Sequence, residues 1–237
     1  MPLRDGVTAF VIVRNELDNI GLCLSSLYGH VDEILLIDDE SNDRREKLKE
    51  QYQYWMHVFS KSGTWMTVAY EPHRGFHHRH FPLVDEMVKT KWMFGLDGDE
   101  ILRASHGFQM REFIKSVDDK ISAIGCMMHE SVDDGSKIVH ERSYPKYRLY
   151  RKDRGHFNTI EHGEFVIDSG SLGFIEHFHL DHIRTNAEKQ IDAERYKAEV
   201  INQYKLATTD DKRKYFADLY KSQAEYYKWD KRTIEEI

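Results

Sequence analysis

Short apolar runs alternate with longer amphipathic segments along the first part of the chain, and this alternation most constrains the fold. The runs 7–13, 33–37, 65–70 and 91–96 have the length and the β-branched, aromatic character of buried strands. Helical spacing between them predicts βαβ units and a mostly parallel sheet. Because crossovers are right-handed, the carboxyl ends of these strands meet at one edge, where ligands of such sheets bind.

Acidic residues cluster where the second and fourth predicted strands end. Asp38 and Asp39 follow the second strand, and Asp97 and Asp99 follow the fourth. Carboxylates at one edge repel each other unless a cation or a hydrogen-bonding ligand joins them. Asp97-Gly98-Asp99 suits a hard divalent cation, because Mg²⁺ and Mn²⁺ prefer oxygen ligands and keep positions for phosphate oxygens.

Three segments of the sequence resemble the GT-A glycosyltransferases, in particular their family 2-like branch of bacterial and viral sugar transferases. The segments are VTAFVIVRNELDNIGLCLSSL, VDEILLIDDESND and KWMFGLDGDEIL, and their order and intervals also fit. A later segment, YRLYRKDRGHFNTIEHGEF, resembles the "R-L-(F/Y)-R-x…H-E" element of that branch. The resemblance implies an α/β fold of the GT-A (Rossmann-like) type, with a mostly parallel sheet flanked by helices.

The resemblance also implies roles around a nucleotide-sugar. The implied nucleotide-sugar-binding residues are Arg14, Glu16, Asp38, Arg79 and Asp97. Asp38 would contact the base or the ribose, and Arg79 would face the diphosphate. Asp99 would be the direct ligand of Mn²⁺ or Mg²⁺, while Asp97 would touch the ribose or the same metal.

A histidine-rich segment, residues 176–182, offers one more metal ligand. If it is a strand, His177 and His179 point the same way. The resemblance implies that a histidine after the acceptor-binding residues is a further ligand of the metal. His179 or His177 could be that ligand. The alternative is a core histidine that is bonded to the backbone.

Sugar transfer also needs a group that accepts the proton of the attacking hydroxyl. In the inverting branch that the sequence resembles, the general base is an Asp or a Glu. Glu161 and Glu164, on either side of His162, are the two candidates. The choice stays open, because I-E-H-G-E departs from the H-E spacing of the family.

The composition and the sequence pattern limit which other classes of protein this chain can belong to. The formal net charge of −7 argues against a nucleic-acid-binding protein. No apolar run approaches the length of a transmembrane segment, and the start has no signal-peptide core, so we expect a cytoplasmic protein. Cys23 and Cys126 lie in apolar surroundings, which predicts buried free thiols.

Two domains are expected. Residues 1–184 would form the GT-A domain, with short antiparallel strands in its later part. From about residue 185 the pattern becomes helical and rich in Lys, Glu and Tyr, which predicts a C-terminal helical appendage, 185–237, packed on the first domain.

These observations favour an inverting, divalent-metal-dependent glycosyltransferase that moves a hexosyl or deoxyhexosyl group. The resemblance implies a UDP- or GDP-sugar donor and a glycan, glycolipid or glycoprotein acceptor. A sugar nucleotidyltransferase is the alternative enzyme, but such enzymes carry a Gly- and basic-rich loop after the first strand, and residues 14–18 lack glycine. A non-catalytic carbohydrate-binding relative is the third hypothesis.

Overall fold

The structure, a computed structural model, describes residues 2–42, 44–73, 77–104, 108–132, 137–158, 165–184, 197–198, 200–202 and 204–227. The chain divides into two compact units, Met1–Ile183 and Arg184–Ile237. In the second unit, residues 197–198, 200–202 and 204–206 are helical, and a longer helix follows.

Strands and helices alternate over the first 97 residues, as the sequence predicts. The strands are β1 Arg4–Val13, β2 Glu33–Asp39, β3 Trp65–Glu71, β4 Thr90–Asp97, β5 Glu100–Ala104, β6 Ile121–Val132, β7 Lys137–Arg151, β8 Gly155–Phe157, β9 Phe165–Ile167 and β10 Ser171–Arg184. The helices are α1 Ile20–Ser26, α2 Arg45–Ser62, α3 Phe81–Met87, α4 Met110–Ser116 and, in the second unit, α5 Asp210–Tyr227.

Eight of the strands form one mixed sheet in the order β3-β2-β1-β4-β7-β6-β10-β5. The pairs β3–β2, β2–β1 and β1–β4 are parallel, whereas β4–β7, β7–β6 and β10–β5 are antiparallel. The parallel half comes from the βαβ units, and the antiparallel half comes from the later strands. Strands β8 and β9 form a separate hairpin.

Helices cover both faces of the parallel half, which explains why β1, β2 and β4 are buried on both faces over most of their length. On one face, α1, α2 and α4 pack their buried side chains into the larger core cluster. On the other face, α3 and the β8–β9 hairpin enclose a smaller cluster around Phe10 and Phe157. The rings of Phe10 and Phe157 meet edge to face, with centroids 5.6 Å apart.

The segment before the fourth strand begins with a 3₁₀ turn, His77–His80, which carries Arg79, and α3 begins only at Phe81. Pro82 explains this start, because proline suits the first turn of a helix, where its missing N–H costs nothing.

Cys23 and Cys126 are buried free thiols, as predicted. None of the described helices is both long and apolar enough to cross a membrane.

Candidate functional site

The acidic edge that the sequence predicts is formed by the carboxyl ends of three neighbouring strands. In the parallel registers, Val13 of β1 pairs with Asp38 of β2, and Ile12 of β1 pairs with Asp97 of β4. The two aspartates therefore flank the end of β1. Asp97 closes β4, and Gly98 and Asp99 form the turn into β5.

Position 98 requires glycine, because neighbouring side chains lie close to its backbone. A Cβ at this position would lie 3.0 Å from Cγ of Glu16 and 3.3 Å from a methyl group of Val13. The backbone N–H of Gly98 also donates to the carbonyl of Ile12 at 3.1 Å. The loop after β1, which carries the predicted pocket residue Glu16, is thus packed directly against the turn between Asp97 and Asp99.

A buried ion cluster surrounds Asp97. Nη2 of Arg148, on β7, donates to Oδ2 of Asp97 at 2.9 Å and also to Oε1 of Glu100. Lys146 lies 3.3 Å from the same Glu100 oxygen, and Oε2 of Glu100 accepts the backbone N–H of Asp97 at 3.0 Å. Burial alone would lower the pKa of Arg148, but Glu100 and Asp97 outweigh it and raise the pKa above its usual value, so Arg148 is charged.

A β-bulge places Arg148 in this cluster. The register between β6 and β7 slips by one residue between Ile124 and Gly125, which makes Arg148 the extra residue on β7. The described pairing of β7 with β4 ends beside it, at Leu149. The guanidinium therefore reaches across the end of β4 to Asp97.

Asp99 is buried and contacts a histidine of β10. Its Oδ2 lies 3.0 Å from Nε2 of His182, and its carbonyl accepts the backbone N–H of Ile183 at 2.9 Å. Of the two histidines predicted as metal ligands, His179 is three residues before His182 and therefore lies on the other face of β10. Its Nδ1 is 2.9 Å from Nε2 of His129. His177 belongs to β10, but its side chain lies outside what the structure describes.

Asp38 is held from its own loop and from helix α2. Its Oδ1 accepts the backbone N–H of Ser41 at 2.7 Å, and its Oδ2 accepts the hydroxyl of Tyr52 at 3.0 Å. Burial and the neighbouring carboxylate raise the pKa of Tyr52, so the phenol stays protonated and donates. Oγ of Ser41 in turn accepts the backbone N–H of Asn15, at 3.0 Å, which ties this loop to the loop after β1.

Asp39 anchors a chain of histidines that ends at Arg14. Nδ1 of His73 and Nε2 of His80 lie 2.7 and 2.8 Å from the two Asp39 oxygens. Arg14 donates to Nε2 of His73, which fixes the proton of that ring on Nδ1, toward Asp39. Burial raises the pKa of Asp39, but hydrogen bonds from His80 and His73 outweigh it, so this pKa lies below its usual value.

We expect this network to stabilise the fold in a pH-dependent way. The pKa of Asp39 is lower in the folded chain than in the unfolded chain. Its ionisation therefore stabilises the fold fully above the unfolded-state pKa, near 4, and this stabilisation is lost as the pH falls from there through the folded-state pKa. Asp39→Asn should lower the free energy of unfolding by about 1–3 kcal/mol at pH 7, and by less at pH 3.5. Urea unfolding at both pH values measures this.

Asp168→Asn is the matched control for that experiment. Asp168 also pairs with a histidine, His156, at 3.2 Å, but both side chains are more than half exposed. Its loss should change the free energy of unfolding by less than about 0.5 kcal/mol at either pH. An Asp39→Asn cost that stayed constant down to pH 3.5 would contradict the prediction.

The remaining predicted site residues lie apart from these contacts. Arg79 is exposed on its 3₁₀ turn, next to the buried His80. Glu161 and Glu164, the two candidate bases, lie outside the described residues.

A cavity of about 520 Å³ lies at the opposite edge of the sheet, by the amino ends of β1 and β4. The basic residues Lys91 and Arg151 line it and are paired with Asp5 and Asp119. This cavity is remote from the acidic edge, because parallel strands separate their two ends.

The acidic edge suits a metal that a substrate helps to bind. Among the described residues, no three His, Cys, Asp or Glu side chains lie close enough to hold a metal ion by themselves. Mg²⁺, however, is usually bound by one or two carboxylates together with phosphate oxygens and water. Asp97 and Asp99 supply the two carboxylates that such a site needs.

Sequence reasoning missed the basic partners of the acidic edge. Arg148 lies in the quoted YRLYR segment, and His182 lies in the histidine-rich segment, yet neither was singled out. The local signal for both is alternation along a strand, which groups residues by face but does not say which face meets Asp97 or Asp99.

Solved glycosyltransferases share this fold. The mannosyltransferase PcManGT from Pyrobaculum calidifontis, in complex with GDP-Man and Mn²⁺, is 11% identical with a TM-score of 0.56, over 95% of this chain and 73% of that one. GalNAc-T7, with UDP, GalNAc and Mn²⁺, is 18% identical with a TM-score of 0.53, over 95% and 54%. TarS of S. aureus is 12% identical with a TM-score of 0.50, over 92% and 43%.

The similarity confirms the predicted α/β fold of the GT-A type. The chain spans about half the length of GalNAc-T7 and less than half that of TarS. No protein-family model matches the sequence, and the comparison with curated proteins finds no match either.

Proposed function

We propose that this chain is an inverting glycosyltransferase that moves a sugar from a UDP- or GDP-linked donor to a hydroxyl of a glycan, glycolipid or glycoprotein. The observation that carries the proposal is the turn Asp97-Gly98-Asp99, which lies at the carboxyl end of β4, beside the ends of β1 and β2. The solved structures that share the fold support it, since GDP-Man or UDP accompanies Mn²⁺ in two of them.

Each side chain at this edge suits one part of such a donor. Asp38 would accept hydrogen bonds from the base or the ribose, and Arg14 and Glu16 would line the same pocket from the loop after β1. Arg79, exposed beside His80, would face the diphosphate. A guanidinium suits that role, because its fork of donors matches phosphate oxygens.

A divalent cation, Mn²⁺ or Mg²⁺, would be held by Asp99 and Asp97. When bound, it would offset the negative charge that develops on the diphosphate leaving group. His182 holds the Asp99 carboxylate from β10, and such partners of metal ligands fix their orientation. His179 and His177 stay proposed as further ligands.

The acceptor side rests on Glu161 and Glu164. One of them would take the proton of the attacking hydroxyl as its oxygen forms a bond to the anomeric carbon of the donor sugar, while the bond from that carbon to the diphosphate breaks on the opposite face. Both belong to the segment between β8 and β9 in the chain.

Isothermal calorimetry tests the proposal directly. UDP, GDP, UDP-GlcNAc and GDP-mannose are titrated into the protein with Mn²⁺ and again with EDTA. We expect one of the two nucleotide series to bind in Mn²⁺ and to lose at least about tenfold in affinity in EDTA. Failure of all four compounds to bind in Mn²⁺ would reject the proposal.

A further inference from the structure

Arg148 contacts the same carboxylate that is proposed to bind the metal. Its guanidinium lies 2.9 Å from Oδ2 of Asp97 and also contacts Glu100, whose side chain is 1% exposed. Arg148 itself is only 13% exposed at the side chain, so water screens it little. A cation that approaches Asp97 therefore meets a fixed positive charge.

The charge balance of the cluster points the same way. Arg148 and Lys146 bring two positive charges to the carboxylates of Asp97 and Glu100. These charges oppose the binding of a free divalent cation, because like charges repel. A bound diphosphate adds negative charge that offsets this repulsion.

One donor of Arg148 also lacks a partner. Its Nε is buried and makes no hydrogen bond to any residue that the structure describes. A buried donor without a partner is destabilising, so a new acceptor nearby would relieve this cost. Phosphate oxygens are suitable acceptors for a guanidinium.

We propose that Arg148 is a positioning residue that makes metal binding depend on the nucleotide diphosphate. Without the diphosphate, it serves as the counter-cation of Asp97 and Glu100 and weakens the binding of a free divalent cation. With the diphosphate bound, the added negative charge lets the cation and the guanidinium share the site. This inference rests on the proposed function.

The test measures Mn²⁺ binding without any donor. Free Mn²⁺ is followed by electron paramagnetic resonance during titration of the wild-type protein, Arg148→Met and Arg148→Gln. Methionine removes the charge and keeps the length, while glutamine removes the charge but can still hydrogen-bond Asp97 and Glu100 if the first variant does not fold. Both variants should bind Mn²⁺ alone about tenfold or more tightly than the wild type.

Two further variants locate the effect. Arg151→Met, on the same strand, removes an arginine that also pairs with two carboxylates, Asp119 and Asp153, away from the acidic edge. It should bind Mn²⁺ as the wild type does. Adding Asp99→Asn to Arg148→Met should abolish the gain in affinity.

The nucleotide separates failure of this inference from failure of the proposed function. Addition of UDP or GDP should tighten Mn²⁺ binding at least about tenfold in the wild type and much less in Arg148→Met. If neither nucleotide binds any of the proteins, the proposed function is wrong. If a nucleotide binds but the Arg148 variants hold Mn²⁺ alone no better than the wild type does, only the role of Arg148 is overturned.

Discussion

Asp99→Asn should abolish sugar transfer while the protein stays folded. The substitution removes the charge of the proposed metal ligand, and loss of that charge stabilisation should reduce kcat/KM by at least about 10³-fold, or roughly 4 kcal/mol. Asparagine keeps an oxygen that can accept a hydrogen bond from His182, so the free energy of unfolding should change by less than about 1 kcal/mol.

Hydrolysis of UDP-GlcNAc and GDP-mannose at several Mn²⁺ concentrations measures this effect. Asp119→Asn is the control, because Asp119 is an exposed carboxylate that pairs with Arg151 at the other edge of the sheet. It should leave turnover unchanged. Full activity in Asp99→Asn would contradict the proposed role of Asp99 as the metal ligand.

Glu100→Ala should have the largest effect on stability. Glu100 is fully buried and accepts from Arg148, Lys146 and the backbone N–H of Asp97. Its loss leaves a buried arginine beside one remaining carboxylate, and breaking a buried ion pair in this way costs about 3–5 kcal/mol. Urea unfolding, with the slope compared between variants, measures the change.

A double variant separates the effect of an uncompensated buried charge from the effect of lost packing. Removing both partners, as in Glu100→Leu with Arg148→Met, should cost clearly less than the sum of the two single variants, because no uncompensated charge remains buried. Glu112→Ala serves as the control, since Glu112 forms an exposed pair with Lys115 and should change stability by less than about 0.5 kcal/mol. Additive costs would show that Glu100 and Arg148 do not act as a pair.

The parallel half of the fold could be predicted because its signals are local. The run 7–13 is apolar on both faces, since it lies in the middle of the sheet with helices on either side, and no partner needs to be known to recognise it. Asp38 and Asp97 could be placed at one edge for a similar reason, because parallel strands with right-handed crossovers align their carboxyl ends.

The long antiparallel strands were predicted less well. The later part of the GT-A domain was expected to hold short strands, whereas β10 runs over 14 residues, from Ser171 to Arg184, and includes the histidine-rich segment. Charged and polar residues interrupt its apolar pattern, because some of its polar side chains pair with β5 and with the turn that precedes β5. Asp181 pairs with Arg103 and His182 pairs with Asp99.

By itself, the sequence determined the alternation of strands and helices, the acidic edge and the turn Asp97-Gly98-Asp99. Only the tertiary structure decided which basic side chains meet that edge. A bulge of one residue turns Arg148 toward Asp97, and the register of β10 against β5 brings His182 rather than His179 to Asp99. Register and bulges depend on the partner strand, and a shift of one residue exchanges the two faces of a strand.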